Sequence, residues 1–300
     1  MYKTKRKGTI YEISIPLEWE GETAYSIFKE KWKLPKKLIH QWRMDQAITL
    51  NGKTADWQAA LKENDALQIP LFLSSTESPV PSFFDMDILY EDDHLLVVNK
   101  PAGMKTHPNQ EEETNSLLNA VAYHVQLSGE CGFIRHVHRL DEQTSGVVLF
   151  AKHEAAYTVL SHLLQDRLIK RTYVAAVHGI MQKNKGTINK PVGRDRHHPT
   201  RRRISSSGQS ALTYFRVLQR NKSRKLSIVE CQLATGRTHQ IRVHFSASGH
   251  PLVGDRLYGG EPLVKRQALH AAKIEIPHPF IGETIVCQST VPDDIRSLFT

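Results

Sequence analysis

The string His138-Arg139-Leu140-Asp141-Glu142-Gln143-Thr144-Ser145-Gly146 runs straight into Val147-Val148-Leu149-Phe150-Ala151. The second stretch is apolar and β-branched, the pattern of a buried strand. The first reads as a polar turn entering it. Asp141 thus stands on a turn held by rigid structure, where functional groups concentrate. It is a candidate functional residue, although taken alone the turn has a simpler reading, an Asp that caps it. Hydrolysis of a glycosidic bond would call for a second carboxylate across that bond. Glu142 does not qualify, because adjacent residues of a strand-like segment point opposite ways. A lone carboxylate with nothing to activate water suits an isomerisation better than a hydrolysis.

Two further groups carry chemical potential. Arg194-Asp195-Arg196-His197-His198-Pro199-Thr200-Arg201-Arg202-Arg203 is the most basic stretch. With a proline and no apolar period it reads as a loop. Its arginines suit a phosphate clamp, since the guanidinium fork matches phosphate oxygens. The 16 histidines offer no metal-ligand spacing: His239 and His244 stand five apart, and no Cys or carboxylate completes a set with them or with His136 and His138. No metal is expected.

The nine residues around Asp141 match the RLDxxTSG signature of the pseudouridine synthases, the large family that modifies ribosomal and transfer RNA. Lys100-Pro101-Ala102-Gly103 resembles the family's KPAG segment, and residues 170–179 resemble its KxYxAxVxG stretch. Thr235-Gly236-Arg237-Thr238-His239-Gln240-Ile241-Arg242-Val243-His244 resembles TGRxHQIRxH without a gap, and residues 249–255 match the block that follows. The resemblance covers about residues 85–298. It implies that Asp141 is the catalytic residue, acting at the ribose as nucleophile or base. It further implies that Arg242 pairs with and orients Asp141, that Tyr173 stacks on the base, and that Leu252 packs against the uracil. Arg139, Arg194, Arg196, Arg201, Arg202 and Arg203 are the expected substrate contacts in this part of the chain. The implied reaction detaches uracil from C1′, turns it and rejoins it through carbon, with no cofactor and no second carboxylate in the signatures. A uridine inside a duplex would have to be flipped out.

The elements that must position these groups can be read along the chain. Residues 9–17 read as a strand, 23–33 as a helix, and a second helix starts at Pro35. Asn51-Gly52 marks a hairpin. Two helices and a hairpin resemble an S4-type RNA-binding module, with Lys36 and Lys37 among the lysines on its helices. Residues 1–73 are assigned to it, the small, polar, Pro-rich residues 74–83 to a linker, and 84–300 to the catalytic domain. The expected fold is α+β: a mixed, mostly antiparallel central sheet with flanking helices, plus the small N-terminal S4-like α/β domain. Thr238 is the expected N-cap of a short helix carrying Arg242.

Composition agrees with this picture. The chain is 40% hydrophobic, enough for a full core, and carries a net charge of +9, which points to a polyanionic partner. RNA is expected, ribosomal before transfer RNA. Cys131, Cys231 and Cys287 form no CxxC pair, which fits a reducing cytoplasm. No apolar run is long enough to cross a membrane, and a monomer is expected. Two other readings compete: an RNA-binding module with an inactive site, against which Asp141, Tyr173 and Arg242 all stand intact, and a nucleoside glycosidase, disfavoured by the missing second carboxylate.

Overall fold

The computed structural model describes residues 1–73, 79–110, 112–129 and 132–299. The N-terminal part is a five-stranded sheet with two helical segments. Strands β1 (Thr4–Lys7) and β2 (Ile10–Ser14) are followed by α1 (Ala24–Ser26), α2 (Lys36–Met44), β3 (Thr49–Leu50), β4 (Lys53–Thr54) and β5 (Ala66–Ile69), in the order β1-β2-β5-β3-β4. The Asn-Gly hairpin forms as expected, with φ of 52° at Asn51 and 78° at Gly52, the positive pair that a type I′ turn requires. Strand β1 was not anticipated: Thr-Lys-Arg-Lys has no apolar alternation, and its main-chain pairing with β2 holds it at the sheet edge. The helix expected over 23–33 is α1 followed by a wide π turn, Ile27–Lys31, in which the Trp32 N–H reaches the Ile27 carbonyl. That wider spacing keeps Ile27, Phe28 and Trp32 buried together.

The remaining elements are β6 (Asp87–Glu91), β7 (Leu95–Lys100), α3 (Leu117–Leu127), β8 (Arg135–His136), β9 (Ser145–Ala151), α4 (Glu154–Gln165), β10 (Lys170–His178) and β11 (Lys185–Asn189). Then come β12 (Val192–Arg194), β13 (Arg202–Ile204), β14 (Leu212–Asn221), β15 (Leu226–Leu233), α5 (Gln240–Ser246), β16 (Leu269–Pro277), β17 (Thr284–Gln288) and α6 (Asp293–Arg296). The large sheet runs β11-β14-β15-β10-β16-β9-β7-β6, with β17 on β16 and β8 on β9. Every pairing in it is antiparallel except β9 with β16. Both faces are covered, which explains the continuous apolar run after Gly146. Val147 and Leu149 of β9 face α4, and Val148 and Phe150 face α3.

The N-terminal sheet is not a loosely tethered unit. Its aromatic core continues into the layer beneath α4. Trp32 meets Phe280 edge-on with centroids 4.9 Å apart, and His94 stacks on the same ring at 4.4 Å. Ion pairs Arg6–Asp93 and Lys33–Asp166, both 2.8 Å, close the rim of the seam. Of the linker expected over 74–83, residues 74–78 lie outside the described residues.

The basic stretch 194–203 is not a simple loop. Strands β12 and β13 pair as an antiparallel ribbon, with Arg194 opposite Arg202. Asp195 at the tip accepts from Arg201 Nε at 2.7 Å. The ribbon was missed because charged side chains on both of its faces leave no alternation to read.

Candidate active site

Asp141 lies between β8 and β9, and the loop that carries it is fixed at several points. Thr106 Oγ1 donates to the Leu140 carbonyl at 3.0 Å and accepts from the Leu140 N–H at 3.1 Å. The Thr144 N–H closes the turn on the Asp141 carbonyl at 2.9 Å. The fully buried Lys100 Nζ reaches the carbonyls of Pro101, Met104 and Glu142 at 2.8, 2.6 and 2.9 Å, tying the KPAG segment to the same loop. Burial pulls this amine down to about 7. Gly146 follows where β9 begins its parallel pairing with β16; a Cβ there would stand 2.2 Å from the Ala271 carbonyl oxygen. Only glycine fits so close an approach.

Helix α5 supplies the partner. Its N-cap is His239, in the left-handed region at φ 60°, and not Thr238. Gln240 does the fastening: its Oε1 accepts from Thr235 Oγ1 and the Arg237 N–H, and its Nε2 donates to the Leu212 carbonyl and Thr213 Oγ1. His244, one turn on, joins Thr213 Oγ1 and the Lys190 carbonyl, both at 2.9 Å. With Gln240 and His244 bound to β14, Arg242 is turned toward Asp141. Its Nη1 donates to Asp141 Oδ2 at 2.9 Å, while Nε and Nη2 grip both oxygens of Asp255 at 2.7 and 2.9 Å. The guanidinium also lies 4.9 Å from the Tyr258 ring centroid. Burial opposes its charge, but the two carboxylates outweigh burial and hold Arg242 above its usual value.

Asp255 corrects the expectation that the signatures hold no second carboxylate. It lies in the matched block 249–255, yet at 2% exposed it is consumed by Arg242 and cannot reach a substrate. It is a positioning group, as the bidentate geometry dictates. His239 was likewise missed. Its Nε2 stands 3.7 Å from Asp141 Oδ2, and its Nδ1 is 2.8 Å from the Tyr258 hydroxyl. That hydroxyl also accepts from the Arg202 N–H, so His239, Tyr258 and the β13 main chain are tied into one network beside Asp141. Burial lowers the His239 pKa.

Asp141, Tyr173, Arg139 and Arg242 line one cleft of about 540 Å³. Tyr173, on β10, is 4% exposed, and burial pushes its hydroxyl above the usual value, so it stays protonated near neutrality. Leu252 does not line the cleft; it is fully buried in the cluster that holds Tyr173 and Ile241. Arg194 and Arg202 line a second groove of about 400 Å³ that shares Arg237 and Thr238 with the cleft. Arg196, Arg201 and Arg203 are exposed and line neither, as are Lys36 and Lys37 on α2.

A mixed sheet thus carries one pinned carboxylate in a basic cleft, and the comparisons give the class of protein to which that arrangement belongs. Residues 94–247 match the RNA pseudouridylate synthase family, and residues 11–67 match the RluD ribosomal pseudouridine synthase N-terminal domain. "Uncharacterized RNA pseudouridine synthase YhcT" of Bacillus subtilis (strain 168) is 46% identical over 98% of this chain and 97% of its own length. "Ribosomal large subunit pseudouridine synthase D" of Pseudomonas aeruginosa is 40% identical over 95% and 93%. Among solved structures, human RNA pseudouridylate synthase domain containing 1 is 29% identical, with a TM-score of 0.58, over 69% of this chain and 83% of that one. The chain belongs to the RNA pseudouridylate synthase family and is an RNA pseudouridine synthase.

Proposed function

We propose that this enzyme converts uridine to pseudouridine in large-subunit ribosomal RNA, with Asp141 as the catalytic residue. The observation that carries the reading is the position of Asp141: the carboxylate that lines the cleft, held by Arg242 at 2.9 Å beside the buried Tyr173. In the reaction the N1–C1′ bond breaks and a C5–C1′ bond forms. The C5 proton is lost and N1 gains one, so mass is unchanged. Asp141 acts on the ribose, as nucleophile at C1′ or as base; either role needs the carboxylate held at one fixed angle, which the Arg242–Asp255 pair supplies. Tyr173 stacks on the uracil and keeps a hydroxyl proton in the site. The net charge of +9 draws the polyanion in. Relatives named for the large ribosomal subunit, and the matched RluD-type N-terminal region, favour ribosomal over transfer RNA.

Carbodiimide mapping of RNA from cells with and without the gene tests this. A pseudouridine in large-subunit RNA should vanish without the gene and return with wild type but not with Asp141→Asn. Loss confined to transfer RNA would overturn the substrate; restoration by Asp141→Asn would overturn the residue.

A further inference from the structure

Beyond Asp141 the cleft continues toward the C-terminal end of α4, past His138, Arg171, Gln165 and Arg167. Its walls carry Arg139, Arg167, Arg171, Arg237 and Arg242, against the single carboxylate of Asp141, which Arg242 already holds. Arg171 is the unusual member. It is only 8% exposed, and among the described residues no carboxylate lies within ion-pair distance of it. Its Nε is buried without a hydrogen-bond partner. Arg171 is set beside Tyr173, whose hydroxyl it faces. Gly236 leaves room for it, since a Cβ there would stand 3.0 Å from Arg171 Nη1. His138, 7% exposed, lines the same wall. Its Nε2 accepts from the Leu149 N–H at 3.3 Å, so the proton is on Nδ1, which is also buried and unpartnered.

An arginine buried without a counter-ion is strongly unfavourable unless something outside the chain supplies the charge. We propose that Arg171 is a phosphate socket, which takes a phosphodiester flanking the target uridine while the base lies against Tyr173. This rests on the reading of the Asp141 cleft as the uridine site. Uracil carries charge only in passing and cannot compensate Arg171 in the bound ground state. A phosphodiester is permanently anionic, and two of its oxygens fit the guanidinium fork. The 5′ and 3′ phosphates of the target share that chemistry.

The test uses the full chain and three probes, uridine, uridine 5′-monophosphate and uridine 3′-monophosphate, titrated by calorimetry. One monophosphate should bind wild type about 10-fold tighter than uridine or better, the range of a charge-assisted contact, and which one it is identifies the side. Arg171→Gln should bind that nucleotide no better than uridine, and Arg171→Lys should keep part of the preference. Without ligand, Arg171→Gln should melt at or above wild type, because it removes an uncompensated buried charge. If neither monophosphate outbinds uridine, or Arg171→Gln keeps the preference, the socket is wrong. A lower melting temperature with uridine binding lost in step would make Arg171 structural and also overturn it. Asp141→Asn should retain the preference; a variant that retains it and still forms pseudouridine ends the Asp141 reading and leaves the socket standing.

Discussion

Arg242 and the arginines of the β12–β13 ribbon are the same side chain in opposite surroundings. Arg242 is 7% exposed and makes three charge-assisted bonds to two carboxylates. Of the ribbon arginines, Arg194, Arg196, Arg201 and Arg203 are exposed, and Asp195 is the acid paired among them. A buried, fully partnered charge fixes one geometry, and breaking it leaves another charge stranded. Exposed charges act through a screened field and substitute for one another. The first kind of arginine should therefore fail singly and completely, and the second gradually and in sum.

The largest effect tests the buried side. Asp141→Asn should leave the protein folded and able to bind RNA while product formation falls on the order of 10⁴-fold or more. Arg242→Ala should lose most activity too, and also destabilise by about 3–5 kcal/mol, because Asp255 would remain buried and unpaired. The double mutant should be no less active than Asp141→Asn alone, since residues acting as a unit are lost together. Thermal melts beside single-turnover assays separate the two: activity lost only in proportion to folded protein would make both residues structural.

Asp255→Asn sharpens the contrast by weakening Arg242 without touching the cleft. Asparagine can accept from only one arm of the fork, so Arg242 loses its fixed angle. The expected fall is about 10- to 100-fold in kcat with KM little changed, the usual scale for a group that orients another. An equal loss in RNA affinity would mean that Asp255 shapes the binding surface instead.

The residues of the candidate site were far more legible in the sequence than their supports were. Asp141, Tyr173 and Arg242 sit in contiguous strings, and β9 shows itself as an unbroken apolar run because both faces of the sheet are covered. Asp255 was in view in residues 249–255 but carried no mark of its task, since a positioning carboxylate is recognised by what it grips. The His239 N-cap was hidden because a left-handed backbone at a non-glycine is imposed by the fastening of Gln240, not by local preference. The seam between the N-terminal sheet and α4 was hidden for another reason. Trp32 and Phe280 stand far apart in sequence, while the polar residues around 74–83 read as a spacer between independent units.

That seam extends the comparison to pH. His94 Nδ1 and His153 Nε2 share a hydrogen bond at 2.9 Å, with Asp92, His278, Lys152 and Arg6 the charged or titratable groups around them. Burial pushes His94 down to about 3 and His153 well below its usual value. The unfolded chain takes up these protons near pH 6.5 and the folded chain does not. Stability contributed here is present above 6.5 and is lost as pH falls from 6.5 toward 3, at up to about 1.4 kcal/mol per pH unit for each histidine. Denaturant melts of wild type and His94→Gln between pH 7 and 5 should show a slope shallower by up to one proton in the variant. An identical slope would mean that His94 is charged in the folded protein.

The smallest effects belong to the exposed side. Arg201, Arg202 and Arg203 replaced together by Ala should weaken binding of all RNA sequences alike. The plot of log affinity against log salt should flatten by about 2, at roughly 0.7 per single-strand phosphate contact. Arg202 is only half-buried and lends its main-chain N–H to Tyr258, a contact that Ala retains, so kcat should hold. Lys36 and Lys37 on α2 are exposed, line neither groove and belong to the N-terminal region. Their double Ala variant should shift affinity less than about 3-fold and the slope by about 1.4 at most. If the lysine pair flattened the slope as much as the ribbon, the N-terminal sheet would be as central to RNA docking as the catalytic face. If the ribbon variant suffered on one RNA sequence alone, its arginines would be reading bases, and graded, interchangeable charge would no longer describe that side of the molecule.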